Sequence, residues 1–174
     1  MKARNMAQCA LFAALLTLCG WISVPMGDIA FTLQTFAVFL SLGLLGGKLG
    51  SAACLVYLLL GAVGLPVFTG FQGGMGILAG ATGGYIIGFM MMGVVCRGLE
   101  DESSPIRCAI ALGIGLVVCY GFGTVWYTQA YAQSSGAVGY GSAFLTCVVP
   151  FILPDFVKLS LAMTLSKRLK KHLK

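Results

Sequence analysis

The stretch that decides the fold is Pro154-Asp155-Phe156-Val157-Lys158-Leu159-Ser160-Leu161-Ala162-Met163-Thr164-Leu165. It is an apolar run that carries one carboxylate and one amine, three residues apart. Residues at that spacing share a helix face and can reach each other. A charge in the bilayer core costs roughly 2.5 kcal/mol or more, so such groups normally face a bundle interior or a water-filled cavity. The chain around this run is equally apolar. Of its 174 residues, 59% are hydrophobic and 9% charged, and its mean hydropathy is +0.96. Soluble domains carry roughly a quarter charged residues, so the solvent here is lipid. The length fits one domain with no separate soluble module.

Working outward, punctuation by glycine and proline divides the chain into apolar spans, each measured against the roughly 20 residues that cross a bilayer. The spans run from about Met6 to Val24, Leu33 to Leu45, Leu49 to Val63, Met75 to Cys96 and Ile106 to Tyr131. In the last apolar segment, from Ser142 to Leu165, Pro150 and Pro154 interrupt helical bonding. A short helix or loop is expected before Pro150, and span 6 from near Pro154 to about Leu169. On that reading Asp155 sits in the first turn of span 6, where free backbone N–H groups can meet it. The expected fold is an all-α membrane protein, a bundle of six transmembrane helices forming one domain over residues 1–174.

The charges test this layout. Ten of the eleven basic residues lie at Lys2/Arg4, Lys48, Arg97/Arg107 and Lys167 to Lys174, all on one side if there are six spans. The opposite segments, around Gly27, Leu65 to Gly74 and Gln133 to Gly141, hold one charge, Asp28. The positive-inside rule then puts both termini in the cytoplasm. The net charge of +6 is thus membrane-facing, and nucleic acid is not expected as a partner. The apolar start reaches Val24 without a small-x-small cleavage site, so a retained first helix is expected.

Several chemistries have no residues to carry them. The one histidine, His172, lies in the basic tail, and the seven cysteines lack metal-site spacing. Gly47-Lys48 fails as a phosphate loop, because Leu42 and Leu49 stand where glycine and Ser/Thr are needed. Neither an enzyme nor a cofactor is expected, and active transport would need an external motor or an ion gradient.

The polar residues gather at the outer level. Thr32, Gln34 and Thr35 open span 2, Thr82 and Tyr85 flank Gly83 and Gly84 in span 4, and Phe68 or Phe71 could close a glycine-rich loop onto an apolar ligand. Gly83 and Gly84 fit either tight helix packing or close approach of a ligand to backbone. Gly43, Gly46, Gly47, Gly50, Gly80, Gly84 and Gly88 recur at four-residue spacing and are expected to serve helix packing. Asp155 and Lys158 fit either a structural ion pair or a ligand site. Ala3, Ala7, Ala10 and Ala14 form a small-residue stripe on span 1, fit for internal packing or for docking to another membrane protein. The whole suggests a pocket for a small, mostly apolar molecule with an anionic end and a neutral hydrogen-bonding end.

Four ordered segments carry a resemblance. Phe31-Thr-Leu-Gln-Thr-Phe36, Gly64-Leu-Pro-Val-Phe-Thr-Gly70, Gly83-Gly-Tyr-Ile-Ile-Gly-Phe89 and Pro154-Asp-Phe-Val-Lys158 resemble the signature segments of BioY, the biotin-specific membrane subunit of energy-coupling factor (ECF) transporters. The resemblance implies a six-helix subunit that captures biotin from outside. It further implies work with a transmembrane coupling protein and a pair of ATPases, Ala10 and Ala14 docking to the coupling protein. Ala81 departs from the common Gly-Pro-Thr-Gly-Gly-Tyr form. For biotin, Lys158 or nearby backbone N–H groups would meet the valerate carboxylate and Asp155 the ureido N–H groups. Gln34, Thr32 and Tyr85 would add donors and acceptors, and Phe68 an apolar wall. The alternatives are a sister subunit for another vitamin, a stand-alone biotin carrier, an intramembrane enzyme using the Asp–Lys pair, or a purely structural membrane protein.

Overall fold

Why these apolar runs become helices, and where they stop, is visible in a computed structural model that describes residues 3–26, 29–99, 104–134 and 139–173. Lys2, Gly27, Asp28 and Lys174 lie outside the described residues, as does most of the connection between Gln133 and Gly141. The helices are α1 (Ala3–Trp21), α2 (Gln34–Ala62), α3 (Met75–Ala79), α4 (Gly83–Leu99), α5 (Pro105–Ser134), α6 (Tyr140–Cys147) and α7 (Val149–Leu173). A short antiparallel clip joins β1 (Ser23–Val24) to β2 (Phe31–Thr32), pairing Ser23 with Thr32 and Val24 with Phe31.

α2 is helical on both sides of a break. Gly46 stands at φ 78° and ψ 166°, a conformation essentially closed to residues with a Cβ. There the chain doubles back, so that Gly50 packs against Leu42 and the Gln34 amide bonds the Tyr57 hydroxyl. In one straight helix those last two residues would stand about 35 Å apart. The expected pair of short spans is therefore a helical hairpin with arms 34–45 and 47–62. The first arm is buried nearly all round, from Ala37 to Gly43. Such a helix lies inside a bundle.

The surface is inverted relative to a soluble protein. Leu11, Val94, Ile110, Val117, Leu153 and Phe156 are each more than half exposed. By length and composition, three described helices can cross a membrane, Gln34–Ala62, Pro105–Ala132 and Val149–Lys171, while Gly83–Leu99 is apolar but shorter. The chain is a multi-pass α-helical membrane protein.

Glycines let the helices touch, as their spacing predicted. A Cβ at Gly88 would lie 2.6 Å from Cys119 Sγ, and one at Gly43 would lie 2.9 Å from Ser166 Oγ. Gly47 presses on the Arg97 backbone, and Cys9 Sγ donates to Leu49 O. These contacts draw Lys48, Arg97 and the start of the Lys167–Lys171 run to one end of the bundle. Two glycines depart from the packing pattern: Gly46, which makes the turn of the hairpin, and Gly80, because span 4 does not run on from Met75. It breaks at Gly80, which is extended at φ −76° and ψ −176°, and whose carbonyl accepts the Trp126 indole N–H at 3.0 Å.

The last segment also differs from expectation. α7 starts at Val149, Pro150 falls in its first turn, and Pro154 lies inside the helix. Proline is harmless in a first turn, and at Pro154 only one helical bond, to the Pro150 carbonyl, is lost. Asp155 is thus about two turns into the helix. Its partners are side chains, and the expected capping role does not apply.

Candidate functional site

At the end of the bundle opposite the basic residues lies a cavity of about 270 Å³. Among the anticipated residues, Thr32, Gln34, Phe68, Thr82 and Tyr85 line it together with Asp155 and Lys158. The short arm of α2, the loop after α2, the start of α4 and the first third of α7 each supply part of this wall. Apolar cover comes from Phe89, Leu116 and Phe151. Such a mixture, mostly apolar with a few converging polar groups, is the usual make-up of a small-molecule site.

The charged pair forms its polar centre. Asp155 is 2% exposed and Lys158 5%. Asp155 Oδ1 accepts from Lys158 Nζ at 2.8 Å and from Thr35 Oγ1 at 2.7 Å. Its Oδ2 accepts from the Tyr120 hydroxyl at 2.6 Å. Lys158 also donates to Thr32 O at 2.7 Å and Thr35 Oγ1 at 3.0 Å, and its ammonium stands 4.1 Å from the centroid of Phe31. An ammonium has three donors, and protein acceptors take all three. The carboxylate keeps one unused lone-pair position, on Oδ2. The pair is therefore neutralised from within, and the ring of Phe31 adds a cation–π contact.

Gln34 and Tyr85 are held in place by neighbours. The Gln34 carbonyl oxygen accepts from Thr32 Oγ1 at 3.3 Å and Thr69 Oγ1 at 3.5 Å, while its amide N–H donates to Tyr57. The Tyr85 hydroxyl pairs with Thr124 Oγ1 at 3.2 Å, and its ring fills the space over Gly123. Phe68, 1% exposed, packs its ring on Gly61 and edge-on to Tyr57 with centroids 5.5 Å apart.

Three anticipated residues stand elsewhere. Gly83 packs against the Leu78 carbonyl and Gly84 against Trp126, so both serve packing and neither lines the cavity. Phe71 points away from the cavity and is 65% exposed. Ala10 and Ala14 are exposed on α1, in a shallow groove bordered by Thr17, Leu18, Val56 and Leu60. At Ala81 the backbone is already suited to the proline of the common form, because Gly80 before it has the extended conformation that a following proline imposes.

Tyr120, which grips Asp155, was not singled out from sequence. A signal existed: Tyr120, Thr124 and Tyr127 recur at helical spacing on α5. Thr69 and Gln72 likewise join the wall from the loop after α2. Among the described residues, no group of three or more His, Cys, Asp or Glu is placed to hold a metal ion.

Comparison with known proteins places this geometry. A biotin transporter BioY from Thermotoga maritima is 38% identical over 169 residues, covering 97% of this chain and 96% of that protein. A probable biotin transporter BioY from Pyrococcus horikoshii is 41% identical over 170 residues, covering 98% of each. A crystal structure of the S-component for biotin from an ECF-type ABC transporter superposes with a TM-score of 0.83 at 26% identity, covering 98% of this chain and 92% of that one. The family match runs over residues 1–174, and the chain belongs to the BioY family.

Proposed function

We propose that this chain is the biotin-binding S-component of an ECF-type ABC transporter, taking biotin from outside the cell for uptake across the plasma membrane. It is a transport protein, not an enzyme. The observation that carries the reading is the cavity itself. It is enclosed by apolar side chains, has the buried Asp155–Lys158 pair at its centre, and opens at the end of the bundle away from the basic residues. On this reading α1, the two arms of α2, α4, α5 and α7 make six crossings in one domain over residues 1–174. Both termini then face the cytoplasm, as the positive-inside rule asks.

The internal neutrality of the pair favours one orientation of biotin. A carboxylate brought to Lys158 would displace one of its bonds and also face the Asp155 carboxylate, a like-charge clash. A ureido ring is neutral and carries both N–H donors and a carbonyl acceptor. It can donate an N–H to the one open position on Asp155 Oδ2 without bringing a second anion to the pair or breaking a Lys158 bond. The valerate carboxylate then lies toward the neutral donors Thr82, Tyr85 and Gln72, with Phe68 against the thiophane ring. Thr32 and Gln34 hold the polar wall, and Gly83 and Gly84 act by seating α4. No cofactor enters. The coupling protein and its ATPase pair supply energy, with Ala10 and Ala14 as the docking stripe in the lipid bilayer.

Calorimetry on the purified chain in lipid nanodiscs tests this. Saturable binding of biotin is expected, with none for thiamine or riboflavin. Biotin amide, which lacks the carboxylate charge, should lose affinity equally in wild type and Asp155→Asn. Binding of thiamine or riboflavin in place of biotin would assign the chain to a sister subunit, and turnover of the ligand would assign it to an enzyme. Co-purification with ATP-hydrolysing subunits, and ATP-dependent uptake, would separate the transporter subunit from a stand-alone carrier.

A further inference from the structure

The chain has two tryptophans, and each pins a non-helical segment beside the cavity. Trp21, the last residue of α1, donates its indole N–H to Pro66 O at 3.0 Å. Trp126, on α5, donates to Gly80 O at 3.0 Å. Between those two carbonyls runs a strap, residues 66–80, which supplies Phe68, Thr69, Gln72 and Ile77 to the cavity wall. Gly64 and Gly74, at φ 101° and 100°, are turn points in and just before it.

The two pins are unlike. Trp126 packs over Gly84 on the face between α4 and α5, so its end of the strap is anchored in helix packing. Trp21 is half-buried, and its ring lies on Phe71, with centroids 4.7 Å apart and planes 31° off parallel. Phe71 has a φ of 59°, the left-handed region, and no other non-glycine among the described residues has a positive φ. That conformation is unfavourable for a residue with a Cβ and persists only where its surroundings hold it. The surroundings of the Phe71 ring include Trp21. One side chain therefore holds the strap twice, by a hydrogen bond to Pro66 and by stacking on a strained Phe71. A tryptophan serving only as an interfacial anchor would need neither contact.

We propose that Trp21 is the latch of the 66–80 strap, a positioning residue that sets how fast ligand enters and leaves the cavity without touching it. Identifying the ligand as biotin rests on the function proposed above; the latch itself rests on Trp21, Pro66 and Phe71. Releasing the latch frees the segment that carries Phe68, Thr69 and Gln72, while the Asp155–Lys158 centre stays in place on α7.

The test uses the full chain in nanodiscs, preloaded with labelled biotin and chased with unlabelled biotin. Trp21→Phe keeps an aromatic ring and removes the N–H donor. It should release biotin about three- to tenfold faster, the size of one lost neutral hydrogen bond. Phe71→Ala keeps the donor and removes the stack, and should also speed release. Amide hydrogen exchange over residues 66–80, measured without biotin, should rise in both variants while exchange in α5 and α7 stays at the wild-type rate. Wild-type release and wild-type exchange in both variants would overturn the latch. Faster exchange across the whole chain would also overturn it, since Trp21 would then be a general fold residue. Failure of the wild-type chain to bind biotin would sink the ligand reading instead, and the exchange data would still decide the latch.

Discussion

Tyr120 donates its hydroxyl to Asp155 Oδ2 at 2.6 Å, on the side of the carboxylate opposite Lys158. The acid is thereby held from three helices at once, by Thr35 on α2, Tyr120 on α5 and Lys158 on α7, and its orientation toward the cavity depends on all three. Tyr120→Phe should weaken biotin binding by about tenfold, the size of a lost hydrogen bond to a charged group. Titration calorimetry beside a thermal melt reads both effects. Unchanged affinity would mean that the Asp155 carboxylate does not meet the ligand.

Breaking the ion pair should cost more than removing it. Lys158→Met alone leaves a buried carboxylate without its cation, and such single losses cost about 3–5 kcal/mol. The double variant Asp155→Leu/Lys158→Met removes both charges and should recover much of the lost thermal stability. It should bind no biotin. A double variant that keeps wild-type affinity would reduce the pair to a structural tie.

Phe68 is seated by the absence of a side chain at Gly61, where a Cβ would overlap its ring. Gly61→Val should unseat the ring, at about 1–3 kcal/mol for overpacking, and cut biotin affinity by about tenfold or more. Gly113→Ala is the control, because a Cβ there meets nothing within 4 Å. That change should leave binding alone and raise the melting temperature slightly, as alanine favours helix over glycine. Equal losses of binding from both substitutions would undo the assignment of Phe68 to the wall.

Gly46→Ala puts a Cβ into a conformation reserved for glycine and should destabilise the protein by about 1–3 kcal/mol. Gly50→Ala tests the same turn by packing, since a Cβ there would stand 2.8 Å from Leu42 Cδ2. Unfolding in detergent, followed by circular dichroism, should show the larger loss for Gly46→Ala if the backbone turn is the limiting constraint. Wild-type stability in Gly46→Ala would mean the reversal lies elsewhere.

The charges and the glycines made much of this legible. Asp155 and Lys158 stood out because little else in an apolar run is charged, and a three-residue spacing on a helix leaves them together. Thr32, Gln34 and Tyr85 stood out because each falls at the outer end of its run. Tyr120 did not, since a tyrosine in mid-span has many possible facings and only the rotation of α5 selects one. Pro154 misled for a related reason: a proline marks a lost hydrogen bond, and sequence does not say whether the helix stops or tolerates it. Gly83 and Gly84 could serve packing or ligand approach equally well; Gly83 is settled by Leu78, across a break in the helix that the sequence did not show, and Gly84 by Trp126, more than forty residues away in the chain.

The turn at Gly46 also bears on how the protein reaches the membrane. Residues 34–45 make a helical arm of about 18 Å, shorter than the hydrocarbon core of about 30 Å that a span exposed to lipid has to match. Its apolar side chains are sheathed by other helices in the finished bundle, so lipid never has to match its length. During synthesis those neighbours on the C-terminal side do not yet exist. The arm lacks the length to partition out of the insertion channel as an independent segment, whereas folded back on residues 47–62 it leaves as one unit with Gly46 at its tip. The glycine that shapes the finished bundle therefore also dictates that these two arms are integrated together.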